Sequence, residues 1–232
     1  MFPVFIICRD RLSTLVSLTK WLERTGSARI YLVDNASTYA PLLEWYEQTT
    51  HTVIRLGVNL RHLAPWASGS IRRYAPNEFY CVTDPDIIPI SDCPLDALQF
   101  FEETLLRYPT YRKVGFGLKI DDIPKHYIYR KQFIKWEKQF WKHPIAPGLY
   151  EANIDTTFAM YRPNSEHCLS PCIRTDSPYL ARHMEWYIHS LHPSEEERYY
   201  REHSRPESPP PTISKRVLVH KRLIAARRAI FH

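Results

Sequence analysis

Three short apolar runs, separated by segments of helical spacing, set the fold class of this chain. Residues 3–8 (PVFIIC), 29–33 (RIYLV) and 53–56 (VIRL) each have the length and composition of a buried strand. Between the first two, Leu12, Leu15, Val16, Leu18 and Leu22 recur on one helical face, and Gly26 supplies the residue type that ends a helix. A second helix is expected over residues 41–49. Alternating strand and helix in this way predicts an α/β fold, with a mainly parallel central sheet flanked by helices. The length of 232 residues suits one such domain with a short appendage.

Further along, the pattern predicts a helix within 65–74, a strand over 78–83 (EFYCVT) and a helix over 94–108 that stops before Pro109. A strand follows at 113–120 (KVGFGLKI), then an aromatic and basic helix at 127–141, a strand at 156–162 and a short helix at 179–189. The domain is expected to occupy residues 1–192. Residues 193–212 turn charged and then proline-rich, ending in Ser208-Pro209-Pro210-Pro211, and read as a linker. Residues 213–232 read as a basic amphipathic helix with Val219, Leu223, Ala226 and Ile230 along one stripe.

The formal net charge is +6, and much of the excess lies in Lys215, Arg216, Lys221, Arg222, Arg227 and Arg228. A nucleic-acid binder would instead spread basic residues among aromatics across the fold, so no nucleic acid is expected. A basic amphipathic helix after a linker suits an anionic membrane surface, or docking on protein. No apolar stretch is long enough to span a bilayer, and the opening run gives way to charge too soon for an export signal. The expected location is cytoplasmic, with peripheral attachment to the membrane's cytoplasmic face through the tail. Five cysteines, an odd number, read as reduced thiols. Cys168 and Cys172 beside His167 lack the second pair of a structural zinc site.

Open parallel sheets bind ligands beyond the carboxyl ends of their strands. Two acidic segments fall there: Asp34 after RIYLV, and Asp84-Pro85-Asp86 after EFYCVT. Carboxylates one residue apart on a tight loop can converge on a hard cation, Mn²⁺ or Mg²⁺, which in turn bridges diphosphate oxygens. Such an ion acts as Lewis acid and template while a nucleotide diphosphate departs.

The order FPVFIICRDRL, YLVDNAST, GVNL and FYCVTDPDIIP resembles the nucleotide-binding half of GT-A glycosyltransferases, especially the family 2 type. The later segments GLKIDDIP, NIDTTFAMYRP and ARHMEWY are similar to bacterial sugar transferases of this class. The resemblance implies a metal-dependent enzyme that moves a sugar from a nucleotide diphosphate donor, UDP for preference, to a hydroxyl of a glycan or lipid-linked acceptor. Surface polysaccharide or glycolipid synthesis is the implied setting. It implies that Asp34 meets the nucleobase, that Asp84 lies near ribose and metal, and that Asp86 ligates the metal. Arg9 and Arg61 become diphosphate candidates, and Leu60-Arg61-His62 stands where the family pattern often has a glycine.

An inverting transfer needs a carboxylate to take the acceptor proton. Asp155 is the first choice, then Asp122, then Asp121. The family's Glu-Asp pair near the last helix is not evident, and His183, Glu185 and Trp186 stand in its place. There His183 is a candidate third metal ligand and Glu185 an alternative base. Plainer roles compete: Asp34 as a turn cap, Arg9, Arg11 and Arg61 as surface charges, and at least two of Trp136, Trp141 and Trp186 as packing residues. Two other classes compete with the enzyme reading. A nucleotidyltransferase would show a glycine-rich phosphate loop after the first strand, where Ile7-Cys8-Arg9-Asp10-Arg11 has no glycine. A basic nucleic-acid-binding domain is the other.

Overall fold

In the computed structural model, residues 1–189 and 191–203 are described. Four parallel strands form one half of the sheet: β1 (Phe2–Cys8), β2 (Ala28–Asp34), β3 (Thr52–Arg55) and β4 (Tyr80–Thr83). Their spatial order, β3-β2-β1-β4, places the first strand in the middle. Val4, Phe5 and Ile6 have no exposure, because a central strand covered on both faces needs an unbroken apolar run. Alternate residues serve opposite cores. Val4, Ile6 and Cys8 face one cluster, and Phe5 and Ile7 face the other.

The connecting helices are α1 (Ser13–Thr25), α2 (Ala40–Gln48) and the short pair α3 (Ala64–Ala67) and α4 (Ser70–Tyr74). Leu15, Leu18 and Leu22 of α1, with Leu42 of α2, join the first cluster, and Ala64 and Ile71 join the second. The sheet is thus sandwiched between helical layers. Gly26 closes α1 in the left-handed conformation, at φ 62.

The second half of the sheet is mixed. It contains β5 (Ile87–Pro89), β6 (Lys113–Leu118), β7 (Pro144–Ala146), β8 (Leu149–Glu151), β9 (Ala159–Tyr161) and β10 (Cys172–His183). The order continues β4-β9-β6-β10-β8-β7, and β5 pairs with the end of β10. β9 runs against both of its neighbours, β4 and β6, as β8 does against β10 and β7, while β10 is parallel to β6. Helix α5 (Ala97–Arg107) packs Leu98, Phe101 and Leu105 into the first cluster. Helix α6 (Arg130–Glu137) continues as a 3-10 turn, Lys138–Trp141. Trp141 reaches β6, where a Cβ on Gly117 would lie 2.5 Å from its ring.

Two expectations need correction. Residues 179–189 are not a helix: Tyr179 to His183 end β10, and only Met184–Tyr187 form a 3-10 turn. The segment read as a linker from 193 begins with a helix, α7 (Glu195–His203). Met1–Tyr200 is one compact unit, and the second begins at Arg201. The rest of the linker and the basic helix of 213–232 lie outside the described residues. Among the described residues, no helix is long and apolar enough to cross a membrane.

Candidate metal and nucleotide site

Sheet order locates the site. β1 connects outward to β2 on one side and lies against β4 on the other, so the switch point of the sheet, where open α/β sheets take ligands, falls at the carboxyl ends of β1 and β4. Three segments meet that edge: Cys8 to Arg11 from β1, Asp34 from β2, and Asp84 to Asp86 from β4. Asp34 is paired with Cys8 in the ladder, one strand from the acidic turn.

The turn after β4 meets the end of β10 through β5. Ile87 pairs with His183, and the Met184 amide donates to the Asp86 carbonyl oxygen at 2.8 Å. This pairing brings Asp86, His183 and Glu185 together, with one ligand atom from each lying within 4.8 Å of the others. His183 Nε2 is 3.4 Å from Asp86 Oδ2 and 4.0 Å from Glu185 Oε2. Asp86 is buried, whereas half of the Glu185 side chain is exposed. Carboxylate oxygens with one imidazole form a donor set that suits Mn²⁺ better than Mg²⁺.

Asp84 turns elsewhere. Its Oδ2 accepts from the Thr156 hydroxyl at 2.7 Å, and its amide donates to the Thr156 carbonyl oxygen at 3.1 Å. The ligand atoms that lie close together are those of Asp86, His183 and Glu185, while Asp84, expected to share the ion, bonds Thr156. Burial, then the charge of Asp86, pushes the Asp84 carboxyl up to about 7. Burial would raise Asp86 too, but His183 and Arg11 outweigh it and hold the carboxyl well below the usual range. Burial opposes a charged His183, yet Asp86 lifts the imidazole to about 9.

Arg11 was open to reading as a surface charge, but it is buried. Its Nη1 donates to Asp86 Oδ2 at 2.5 Å and its Nη2 to Glu197 Oε2 at 3.2 Å. The Tyr200 ring lies over the guanidinium, 3.9 Å from Cζ. Helix α7 reaches this edge because α1 has no cap of its own. Glu196 Oε2 accepts the amides of Leu12 at 3.1 Å and Ser13 at 3.0 Å, a carboxylate at a helix N-terminus. Asp10 serves α2 in the same way, accepting from the amides of Thr38 and Tyr39.

The nucleotide candidates make local contacts. Asp34 is buried and accepts from the Ser37 amide at 3.3 Å and the Tyr46 hydroxyl at 3.2 Å, which is the turn-capping role. Arg9 donates to the carbonyl oxygen of Asn35 at 2.6 Å, bracing the loop after β2. Arg61 is exposed with φ 58, and its carbonyl oxygen accepts from the Asn35 side chain at 3.0 Å. Asn35 also accepts from the Leu60 amide, so it joins the two loops.

Among the base candidates, Asp122 is fully engaged. One oxygen accepts Arg182 Nε at 2.9 Å and Nη2 at 2.6 Å, and the other accepts the Tyr187 hydroxyl. Asp121 pairs with Lys119 at 2.8 Å at the surface. Asp155 is exposed, one residue before the Thr156 that bonds Asp84, with His167 Nε2 at 3.7 Å from its Oδ1. His167 holds its carboxyl below the ordinary value. Trp141 and Trp186 are packed, Trp186 against His183 and Phe133, while Trp136 is exposed. Sequence reasoning missed Arg11, Thr156 and α7. The signal for α7 was Ser194-x-x-Glu197, a capping-box pattern in which the Glu197 amide donates to Ser194 Oγ at 3.2 Å.

A cavity of ≈ 380 Å³ lies away from this edge, at the start of β10, lined by Phe140, His143, Glu151, Asn153 and Cys172 among others. None of the predicted site residues lines it. No family model and no curated protein matches this chain.

Proposed function

We propose that this chain is a metal-dependent glycosyltransferase of the GT-A type, transferring a sugar from a nucleotide diphosphate donor to an acceptor hydroxyl. The observation that carries the reading is the convergence of Asp86, His183 and Glu185 at the switch point of a β3-β2-β1-β4 parallel sheet. Asp86, His183 and Glu185 would hold Mn²⁺, with Mg²⁺ the poorer fit to an imidazole. The ion would supply charge neutralisation at the leaving diphosphate. The resemblance of YLVDNAST and TDPDIIP to that class supports UDP as the nucleotide. Asp34 would then exchange its hydrogen bond from Tyr46 or Ser37 for one from the base.

The chain's own residues supply the rest. Thr156 holds Asp84 and fixes the approach of Asp155 to the acidic turn. Asp155 accepts the proton of the acceptor hydroxyl. It is ionised at neutral pH, since its carboxyl lies below the ordinary value. With Glu185 on the ion and Asp122 fixed by Arg182, Asp155 is the carboxylate left for that task. A glycan or lipid-linked acceptor is favoured by the basic segment of 213–232, which would bring the enzyme to an anionic membrane surface.

Isothermal titration with UDP and Mn²⁺ tests the reading. Binding that needs the metal and disappears in Asp86→Ala is expected. No binding by the wild-type protein, or equal binding by the variant, would overturn it.

A further inference from the structure

The Asp86 oxygen nearest His183 is not free. Oδ2 faces His183 Nε2 at 3.4 Å and accepts from Arg11 Nη1 at 2.5 Å. A guanidinium keeps its charge under any ordinary condition, so a fixed cation occupies the carboxylate that a divalent ion would use. Two cations on one poorly solvated oxygen repel strongly, and a buried carboxylate with none is costly. Arg11 has a second acidic partner in Glu197, 3.2 Å from its other amino group.

Resting on the reading of Asp86 as a metal ligand, we propose that Arg11 is a built-in counter-cation that competes with the divalent ion for Asp86. Glu197 of α7 is the acceptor that keeps Arg11 paired once the ion is bound. The swap leaves no buried charge alone at either end. With ion bound, Asp86 faces the ion and Arg11 faces Glu197; without it, Arg11 spans both.

The surroundings fit a side chain with two settings. Tyr200 covers the flat face of the guanidinium, which lets it pivot in its plane while the stacking persists. Glu196 anchors α7 to the amides of Leu12 and Ser13, next to Arg11 itself. Tyr199 adds a bond to Thr38 at 3.0 Å and a ring contact with Tyr39 at 4.9 Å. Helix α7 is thereby held to the segments that follow β1 and β2, and ion binding is coupled to it through one guanidinium.

Mn²⁺ binding to the full-length protein, measured by calorimetry without nucleotide, tests this. Arg11→Met is expected to bind Mn²⁺ about tenfold more tightly, within the ordinary range of coupling between two charged groups that oppose each other's binding. Glu197→Gln should bind it several-fold more weakly, because Arg11 then closes wholly on Asp86. That second variant stands by itself should Arg11→Met fail to fold. Unchanged or weaker binding in Arg11→Met, or unchanged or tighter binding in Glu197→Gln, overturns the competition. Asp86→Ala separates the two readings. Wild-type binding that ignores Asp86 removes the metal site altogether; binding that needs Asp86 but ignores Arg11 removes the competition alone.

Discussion

The Thr156 hydroxyl donates to Asp84 at 2.7 Å, and the Asp84 amide donates back to the Thr156 carbonyl oxygen at 3.1 Å. These two bonds cross between segments far apart in sequence and put Asp155 beside the acidic turn. Asp155→Asn is expected to lower kcat by about 10²–10⁴-fold, the usual contribution of a general base, with UDP binding unchanged. His167→Ala removes the group that lowers the Asp155 carboxyl, so the acidic limb of the rate profile should move to higher pH. A profile that stays in place, or a full loss of turnover in Glu185→Gln with normal metal affinity, assigns the base elsewhere.

Glu137 and Arg174 form an ion pair at 2.8 Å with side chains 5% exposed at both ends. Burial pushes the Glu137 carboxyl up and the Arg174 guanidinium down, in each case against the pull of the partner. Desolvation therefore outweighs attraction at both groups. Glu137→Leu alone should cost about 3–5 kcal/mol, and adding Arg174→Met should restore most of that. Denaturant melts of the double-mutant cycle check it; additive losses would show that the two side chains act independently.

Strand β6 carries glycine where its neighbours come too close for a side chain. A Cβ on Gly115 would lie 2.5 Å from the Phe158 carbonyl oxygen, and one on Gly117 would lie 2.2 Å from the Thr175 carbonyl oxygen and 2.5 Å from the Trp141 ring. Gly117→Ala should lower stability by at least about 2 kcal/mol through overpacking. Thermal melts of Gly117→Ala and of Gly117→Ala with Trp141→Leu measure it. Partial rescue in the double variant gives the ring's share of the loss, and the remainder belongs to the Thr175 carbonyl oxygen.

All five cysteines are free thiols, and only Cys168 is partly exposed. Burial pushes Cys93 and Cys172 up to about 12 and lifts Cys8 and Cys81 further. A disulfide reagent at pH 8 should label one thiol in the native protein, lost in Cys168→Ser, and all five after unfolding. Rapid labelling of a second thiol would reveal local opening of the sheet.

The first half of the fold is written locally. Strands covered on both faces appear as unbroken apolar runs, and α1 carries its periodicity and its terminal Gly26. β10 is not written this way. It holds Arg174, Asp176, Ser177 and Pro178, and its pairing with β6 slips between Thr175 and Leu180. Its end is a strand because β5 offers an edge to pair with, a contact that no local pattern announces. The same holds for the site. Asp86, His183 and Glu185 could be named from residue type and position, but their meeting depends on that distant pairing. Arg11 escaped because its burial is created by α7, more than half the chain away.

Strand β9 enters the sheet against the grain of β4 and β6. Since β9 reverses its neighbours, the stretch leading into it arrives at the rim from which β1, β2 and β4 depart. Lengthening that approach would reshape one bank of the candidate site while the register of β1, β2 and β4, and so the opposite bank, stays put. The two banks can be varied separately, in the laboratory or by descent, with the sheet between them acting as a fixed keel.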